Sequence, residues 1–204
     1  MANKRKPTLY VIAGPNGAGK STFYEIKMKP MLRSTPFINA DIIQRSELKD
    51  NSMMAAYKAA KIAEQRRQEL LTNKKSFITE TTFSHSSKLD LITEAKARGF
   101  QVVVVHINVH SPNLSVARVK SRVEEGGHNV PEEKIRKRYE RNQALIRRAV
   151  LDADKAFIYD NSRLNKSLET SVVFDQGKIV KTSDNIPKWV RDLYKSELKL
   201  FEEF

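Results

Sequence analysis

Residues 14–22 constrain the fold of this chain more than any other segment, because they have the sequence Gly-Pro-Asn-Gly-Ala-Gly-Lys-Ser-Thr. The segment matches the pattern Gly-x-x-x-x-Gly-Lys-Ser/Thr, in which small residues let backbone N–H groups curl around a chain of phosphates. Such a loop follows a strand and opens a helix, whose positive N-terminal end faces the anion. The apolar run 8–13 predicts the strand, and residues 21–28 can begin the helix.

The loop predicts a site for a nucleoside triphosphate and Mg²⁺. Lys20 is expected to reach the β- and γ-phosphates, and the hydroxyl of Ser21 is expected to bind Mg²⁺. The alternative is a glycine-rich turn that binds nothing, but such a turn has no need of Gly-Lys-Ser at its end. The residues predicted to contact the nucleotide are Gly14, Pro15, Asn16, Gly17, Ala18, Gly19, Lys20, Ser21 and Thr22.

The rest of the chain alternates short apolar runs with amphipathic segments. Further strands are predicted at 36–40, 76–79, 101–109 and 156–159. Helices are predicted at 53–72, 87–98, 114–125, 131–151 and 187–204, and a hairpin at 168–181. This alternation is typical of an α/β fold, so we expect a P-loop NTPase with a five-stranded parallel sheet and helices on both faces. Ligands of such sheets bind beyond the carboxyl ends of the strands.

Length and composition favour one domain with anionic partners. The 204 residues include 37 Lys and Arg against 24 Asp and Glu, and this net charge of +13 favours nucleotides, sugar phosphates, nucleic acid or anionic lipid. A solvated basic surface that aids solubility is the other interpretation. The chain has no cysteine and no apolar run of about 18 residues. We therefore expect a single cytoplasmic domain over residues 1–204, without membrane contact.

Two carboxylates follow predicted strands. Asp41 can act as a general base toward an acceptor hydroxyl, or it can cap the helix that follows it. Glu80 can hold water on Mg²⁺ or bind a substrate hydroxyl, whereas the structural interpretation makes its segment only the start of a helix. Arg45 and Thr82 follow these acids, and they complete a predicted acceptor site with Asp41 and Glu80.

Two other strand ends carry less chemistry. The strand at 101–109 leads to Asn108 rather than an aspartate, which argues against a motor or switch ATPase with an acidic Mg²⁺ ligand there. Asn161 and Arg163 follow the strand at 156–159, where they can flank the adenine or simply form a turn.

Residues 118–141 carry arginines on two predicted helices joined by the turn Gly126-Gly-His-Asn129. Arginines stabilise the charge that spreads over a phosphoryl group in transfer, and a hinged hairpin can close over a nucleotide as a lid. We select Arg122 and Arg138 as the catalytic groups of this lid, because they flank the hinge most closely. The other candidates are Arg118, Arg136 and Arg141. Two exposed basic faces balanced by nearby glutamates are the structural alternative.

Several of these segments together resemble the zeta-toxin family of phosphate-loop kinases. The chain is most similar to short stand-alone bacterial members known as predicted ATPases, and the resemblance runs from about residue 8 to residue 162. It rests on the phosphate loop and four further motifs: Ile38-Asn-Ala-Asp41, Glu80-Thr-Thr-Phe83, Gly126-Gly-His-x-Val-Pro131 and Arg138-Tyr139.

The resemblance implies an ATP-dependent, Mg²⁺-requiring kinase with the fold of nucleoside monophosphate kinases. It implies that Asp41 is the general base, Lys20 the phosphate-binding lysine and Glu80 the substrate-binding acid, with Arg122 and Arg138 clamping the transition state. Toxins of the family phosphorylate a UDP-activated N-acetyl amino sugar. This chain departs from them in its shorter length, in a lid turn of Gly-Gly-His and in having no separate antitoxin segment.

Three functions remain open on the sequence. The first is a kinase for a small hydroxyl acceptor such as a nucleotide sugar, with an antitoxin protein as a candidate partner. The second is a polynucleotide or nucleoside kinase, although we do not expect nucleic acid as a partner. The third is a non-catalytic nucleotide-binding module that switches another protein.

Overall fold

A single mixed sheet organises the computed structural model, which describes residues 6–124, 130–163 and 168–203. The strand order is β2-β3-β1-β4-β5-β6-β7. The strands are β1 Thr8–Ala13, β2 Phe37–Ile38, β3 Phe77–Thr81, β4 Gln101–Asn108, β5 Lys155–Asp160, β6 Thr170–Asp175 and β7 Lys178–Thr182. Strands β1 to β5 pair in parallel, and β6 and β7 pair antiparallel.

The sheet therefore has seven strands in the described part of the chain, rather than five. The five parallel strands are those expected from the sequence. The C-terminal hairpin does not stand apart from them, because β6 pairs along β5 from the Lys155–Asp175 pair to the Tyr159–Thr170 pair. The hairpin thus covers an edge of the parallel sheet that would otherwise present unpaired backbone groups.

Helices connect the strands and continue after them. The first helical segment runs from α1 Lys20–Phe23 through a π-helical stretch, Tyr24–Met28, into α2 Lys29–Met31, and α3 Ala40–Ile42 continues into a second π-helical stretch, Ile43–Leu48. The remaining helices are α4 Met53–Thr72, α5 Ser87–Ala97, α6 Pro112–Glu124, α7 Glu132–Asp152, α8 Lys188–Leu193 and α9 Lys195–Glu202. No helix in the described ranges is long and apolar enough to cross a bilayer.

Both faces of the sheet are covered, as predicted. Because side chains alternate along a strand, Leu9 and Val11 of β1 pack in one apolar cluster with residues of α4, α5, α7, α8 and α9. Ile12 faces the other way and packs with Phe23 and Met28 of the first helical segment. Helices α6 and α7 pack on each other through a small apolar cluster of their own, which includes Val119 and Ile135.

The C-terminal helix is broken, whereas the sequence predicts one helix over 187–204. Helices α8 and α9 meet at Tyr194, whose φ of −109° and ψ of 27° are not helical. The Tyr194 side chain is fully buried, and its hydroxyl shares a 2.8 Å hydrogen bond with His106 Nδ1 of β4. The break accompanies this inward anchor, which apolar periodicity alone does not reveal.

Candidate active site

The phosphate loop lies between β1 and α1 and is packed tightly against neighbouring segments. A Cβ atom at Gly14 would lie 2.0 Å from the carbonyl oxygen of Ile107 in β4. Gly19 has a φ of 89°, and a Cβ atom there would lie 2.3 Å from the side-chain nitrogen of Asn161. Only glycine satisfies these positions, so the predicted strand, loop and helix are all present and the loop fits closely between them.

Lys20 is the buried centre of the site. Only 6% of the residue is exposed, and its Nζ donates a 3.0 Å hydrogen bond to the Pro15 carbonyl within the loop. The ammonium lies 3.8 Å from Glu80 Oε1. Burial lowers the pKa of Lys20, and the negative charges of Glu80 and Asp41 oppose that effect. Buried lysines need anionic partners, and the phosphates of a nucleotide are suited to that role.

Lys20 also marks where the predicted charged groups meet. The positive charges of Arg122 and Arg138 lower its pKa further, so both arginines lie close enough to act on it. The charges of two acids and two lid arginines, drawn from distant parts of the sequence, therefore act on one lysine.

Glu80 links the ends of neighbouring strands. It is the fourth residue of β3, paired with Ile12 of β1, rather than the first residue after the strand as the sequence predicts. Its Oε2 accepts a hydrogen bond of 2.9 Å from Ser21 Oγ and another of 2.9 Å from Asn39 Nδ2. The hydroxyl of Ser21 and the carboxylate of Glu80 thus provide adjacent oxygen ligands of the kind that Mg²⁺ prefers.

Asp41 is exposed on α3, directly after β2. The helix cap is Asn39, whose Oδ1 accepts hydrogen bonds from the backbone N–H groups of Asp41 at 2.8 Å and Ile42 at 3.2 Å. The alternative in which Asp41 caps this helix is therefore excluded, and the negative charge of Asp41 acts on Lys20. Arg45 is also exposed, about one turn further along the same helical segment.

The lid arginines differ in what they contact. Arg138 of α7 donates a 3.3 Å hydrogen bond from Nη1 to Asn16 Oδ1, so α7 reaches the phosphate loop directly. Arg122 is exposed near the end of α6. The predicted hinge at 126–129, including His128, lies outside the described residues. The lid function of this hairpin stays a prediction.

Other lid residues hold the two helices in place. Arg136 bonds to Glu132 on its own helix, and its Nη1 donates to Asn113 of α6 at 2.6 Å. Arg141 Nη2 donates to the Ser84 carbonyl at 3.0 Å, which ties α7 to the segment after β3. Of the five arginines in this region, these two make structural contacts away from Lys20.

Thr82 lies on the same segment after β3. Its hydroxyl shares a 2.6 Å hydrogen bond with Ser84 Oγ, and its carbonyl accepts a hydrogen bond from Asn142 of α7. The residue is half-buried. Its predicted contact with an acceptor remains a prediction.

Sequence reasoning missed two amides with structural roles, one that caps α3 and one that bonds to the phosphate loop. Asn39 was overlooked beside Asp41, although an asparagine before a short helix is a frequent cap. Asn161 Nδ2 donates a 2.9 Å hydrogen bond to the carbonyl of Ala18 in the phosphate loop. Asn161 had been considered only as an adenine neighbour or a turn residue, and no local pattern indicates a contact across 143 positions of sequence.

Solved structures show where this architecture is found. The chain superposes on AvrRxo1-ORF1 in its complex with ORF2 and ATP with a TM-score of 0.69 and 15% identity, over 96% of this chain and 64% of that one. It superposes on a chain of the PezAT chromosomal toxin–antitoxin system of Streptococcus pneumoniae with a TM-score of 0.63 and 17% identity, over 98% and 88%. These likenesses show a shared fold, and this chain spans under two thirds of the AvrRxo1-ORF1 chain.

Sequence comparison gives the family. A protein of Haemophilus influenzae strain Rd, described as uncharacterized, is 29% identical over 126 residues, which are 62% of this chain and 88% of that protein. The sequence model of the Zeta toxin family matches residues 1–172. Since this match covers most of the chain and includes every site residue described above, the chain belongs to the Zeta toxin family.

Proposed function

We propose that this chain is an ATP-dependent phosphotransferase that moves the γ-phosphoryl group to a hydroxyl of a small acceptor. The observation that carries the proposal is the buried Lys20 of the phosphate loop, which lies 3.8 Å from Glu80, with Arg138 bonded to Asn16 of the same loop. The charges of Asp41 and Arg122 also act on Lys20. A loop that only binds nucleotide needs no exposed carboxylate and no arginines from a separate hairpin facing its lysine.

The nucleotide side uses the loop and the first helix. Backbone N–H groups of the loop would surround the phosphates, and Lys20 would pair with the β- and γ-phosphates. Ser21 would hold Mg²⁺, and the ion would supply positive charge that neutralises the phosphates. Glu80, which already accepts a hydrogen bond from the Ser21 hydroxyl, would hold a water of that ion or orient the phosphoryl acceptor beside it.

The acceptor side uses Asp41, Arg45 and Thr82. Asp41 would take the proton of the acceptor hydroxyl as the acceptor oxygen bonds to the γ-phosphorus and the bond to the departing ADP oxygen breaks. Arg122 and Arg138 would stabilise the charge on the moving phosphoryl group. The exposure of Asp41 supports this role, since an acceptor must reach the base from solvent.

The candidate acceptor is a UDP-N-acetyl amino sugar, as the resemblance to zeta toxins implies. The test is transfer from radiolabelled ATP, with Mg²⁺, to a panel of UDP-sugars, nucleosides and oligonucleotides. We expect label on a nucleotide sugar and its loss in Asp41→Asn. Label only on nucleosides or oligonucleotide ends would favour the second function. ATP binding without transfer to any member of the panel would favour the non-catalytic module.

We also propose a protein partner of the antitoxin class. The support is that one structural neighbour belongs to a toxin–antitoxin system and another was solved with a second protein. Expression of the native chain is expected to arrest bacterial growth, and expression of Asp41→Asn is not. Co-expression of the reading frame adjacent to this gene should then restore growth, whereas arrest by Asp41→Asn would separate toxicity from phosphoryl transfer.

A further inference from the structure

The segment after residue 172, which the family model does not cover, contacts the carboxyl end of the parallel sheet. Trp189 of α8 is buried, and its indole Nε1–H donates a 2.8 Å hydrogen bond to Asp160 Oδ1. The ring also meets the His106 imidazole edge-on, with centroids 5.2 Å apart. Asp160 is the last residue of β5, so Trp189 reaches the edge where ligands of α/β sheets bind.

The residue after Asp160 makes the contact with the phosphate loop. Asn161 Nδ2 donates to the Ala18 carbonyl at 2.9 Å, and the Asn161 backbone N–H donates to the Asn108 carbonyl at 2.8 Å. Ser162 Oγ donates to the same Asp160 oxygen that receives the indole. The turn after β5 is therefore held from the sheet on one side and by Trp189 on the other.

The hydrogen bond to Ala18 has a consequence for phosphate binding. The Ala18 carbonyl and the Gly19 N–H belong to one planar trans peptide, in which the two groups point in opposite directions. When Asn161 holds the carbonyl, the Gly19 N–H is directed away from Asn161. Anion-binding nests are made of successive backbone N–H groups that point into one concavity, so the orientation of the Gly19 N–H matters for phosphate binding.

The charge of the same carboxylate also acts on the helical hairpin. Burial lowers the pKa of Arg118 on α6, and the charge of Asp160 opposes that effect. The pKa of Tyr139 on α7 is raised to about 12, mainly by burial and partly by Asp160. Asp160 thus bonds to α8 and to the turn beside the phosphate loop, and its charge acts on α6 and α7.

We propose that Trp189 is a positioning residue for nucleotide binding, which acts through Asp160 and Asn161 to orient the Ala18–Gly19 peptide. This proposal rests on the proposed function in so far as the phosphate loop is taken to bind a nucleotide. Under this proposal, a residue beyond the region matched by the family model, residues 1–172, supports the nucleotide site.

The test compares two variants of the C-terminal helices. Trp189→Phe keeps an aromatic ring against His106 but removes the N–H donor, and we expect ADP binding with Mg²⁺ to weaken by about fivefold in calorimetry. Tyr194→Phe removes the hydrogen bond to His106 from the same segment. It is expected to lower the melting temperature and to leave ADP affinity unchanged, because neither ring nitrogen of its partner His106 is hydrogen-bonded to Asp160 or Asn161.

A double-mutant cycle separates positioning from general loosening. Asn161→Ala is expected to weaken ADP binding at least as much as Trp189→Phe does, and adding Trp189→Phe to Asn161→Ala should weaken it no further. Asn161→Ala by itself keeps the proposal testable if Trp189→Phe fails to fold, since native ADP affinity in Asn161→Ala would show that Asn161 does not orient the phosphate loop for binding.

Three other results would overturn the proposal. They are native ADP affinity in Trp189→Phe, an equal loss of affinity in Tyr194→Phe, and a full additional loss when Trp189→Phe is added to Asn161→Ala. A native chain that binds no ADP would instead overturn the proposed function, and this proposal with it.

Discussion

The two sides of the candidate site are built differently. On the nucleotide side, Lys20 is buried and bonded to Pro15, Glu80 is half-buried and bonded to Ser21 and Asn39, and glycines let neighbouring segments touch the loop. On the acceptor side, Asp41 and Arg122 are exposed. Tight packing fixes geometry before a ligand arrives, whereas exposed charges leave room for one. Substitutions on the two sides should therefore affect binding, transfer and stability in different proportions.

The largest effect is expected on the packed side, from Lys20→Met. The variant keeps the apolar stem but loses the charge that pairs with phosphate, so transfer should fall by about 1,000-fold and ADP affinity should fall with it. The melting temperature should not fall, because a buried ammonium is costly to desolvate. Calorimetry, transfer assays and thermal melts measure the three quantities. Transfer within tenfold of native would contradict the assignment of Lys20.

Asp41→Asn tests the exposed side. Loss of the base should reduce transfer by about 100- to 1,000-fold, and ADP affinity should stay native because the carboxylate lies on the acceptor side. The measurement is transfer rate beside calorimetric ADP affinity, in the same preparation. If both fall together, Asp41 belongs to the nucleotide side and the contrast between the two sides fails.

The two lid arginines Arg138 and Arg136 form a matched pair two positions apart. Arg138→Ala removes the contact with Asn16 and should reduce transfer by about 100-fold. Arg136→Ala removes bonds to Glu132 and Asn113, which lie within the hairpin, and should leave the transfer rate near native. Equal losses in the two variants would mean that the hairpin acts through its fold rather than through Arg138.

The smallest effect is a pH dependence of stability in the packed sheet. Burial lowers the pKa of His106 from 6.5 to about 3, so the folded chain keeps it neutral while the unfolded chain binds a proton below pH 6.5. Stability from this group is complete above pH 6.5 and should fall by about 2 kcal/mol between pH 6.5 and pH 5. The free energy of unfolding, measured with urea across this pH range, should depend less steeply on pH in His106→Gln than in the native chain. An equal pH dependence in the two proteins would assign the effect to other groups.

Local patterns predicted the parts of the fold that depend on neighbours in sequence. The phosphate loop, strand β1 and helix α4 at Met53–Thr72 lie where glycine spacing and apolar periodicity placed them. The acids Asp41 and Glu80 are expected at one edge because carboxyl ends of parallel strands meet there, and the charges of both act on Lys20. Their chemical roles stay predictions.

Contacts between distant segments were not predictable in the same way. The pairing of β6 with β5, the break at Tyr194 and the bond from Asn161 to Ala18 each depend on tertiary packing rather than on a local pattern. Asn39 is a different case, since its capping role follows from its type and position. From the sequence, Asp41, two residues later, is instead considered as the cap of this helix.

Trp189 is the single tryptophan of the sequence. Two residues, Asp160 and Asn161, connect it to the phosphate loop. Ultraviolet emission from the native protein therefore reports on one known place, without an attached dye. A rearrangement of Asp160 would change the polarity around the indole ring and shift that emission. Nucleotide titrations and stopped-flow mixing can follow this signal directly.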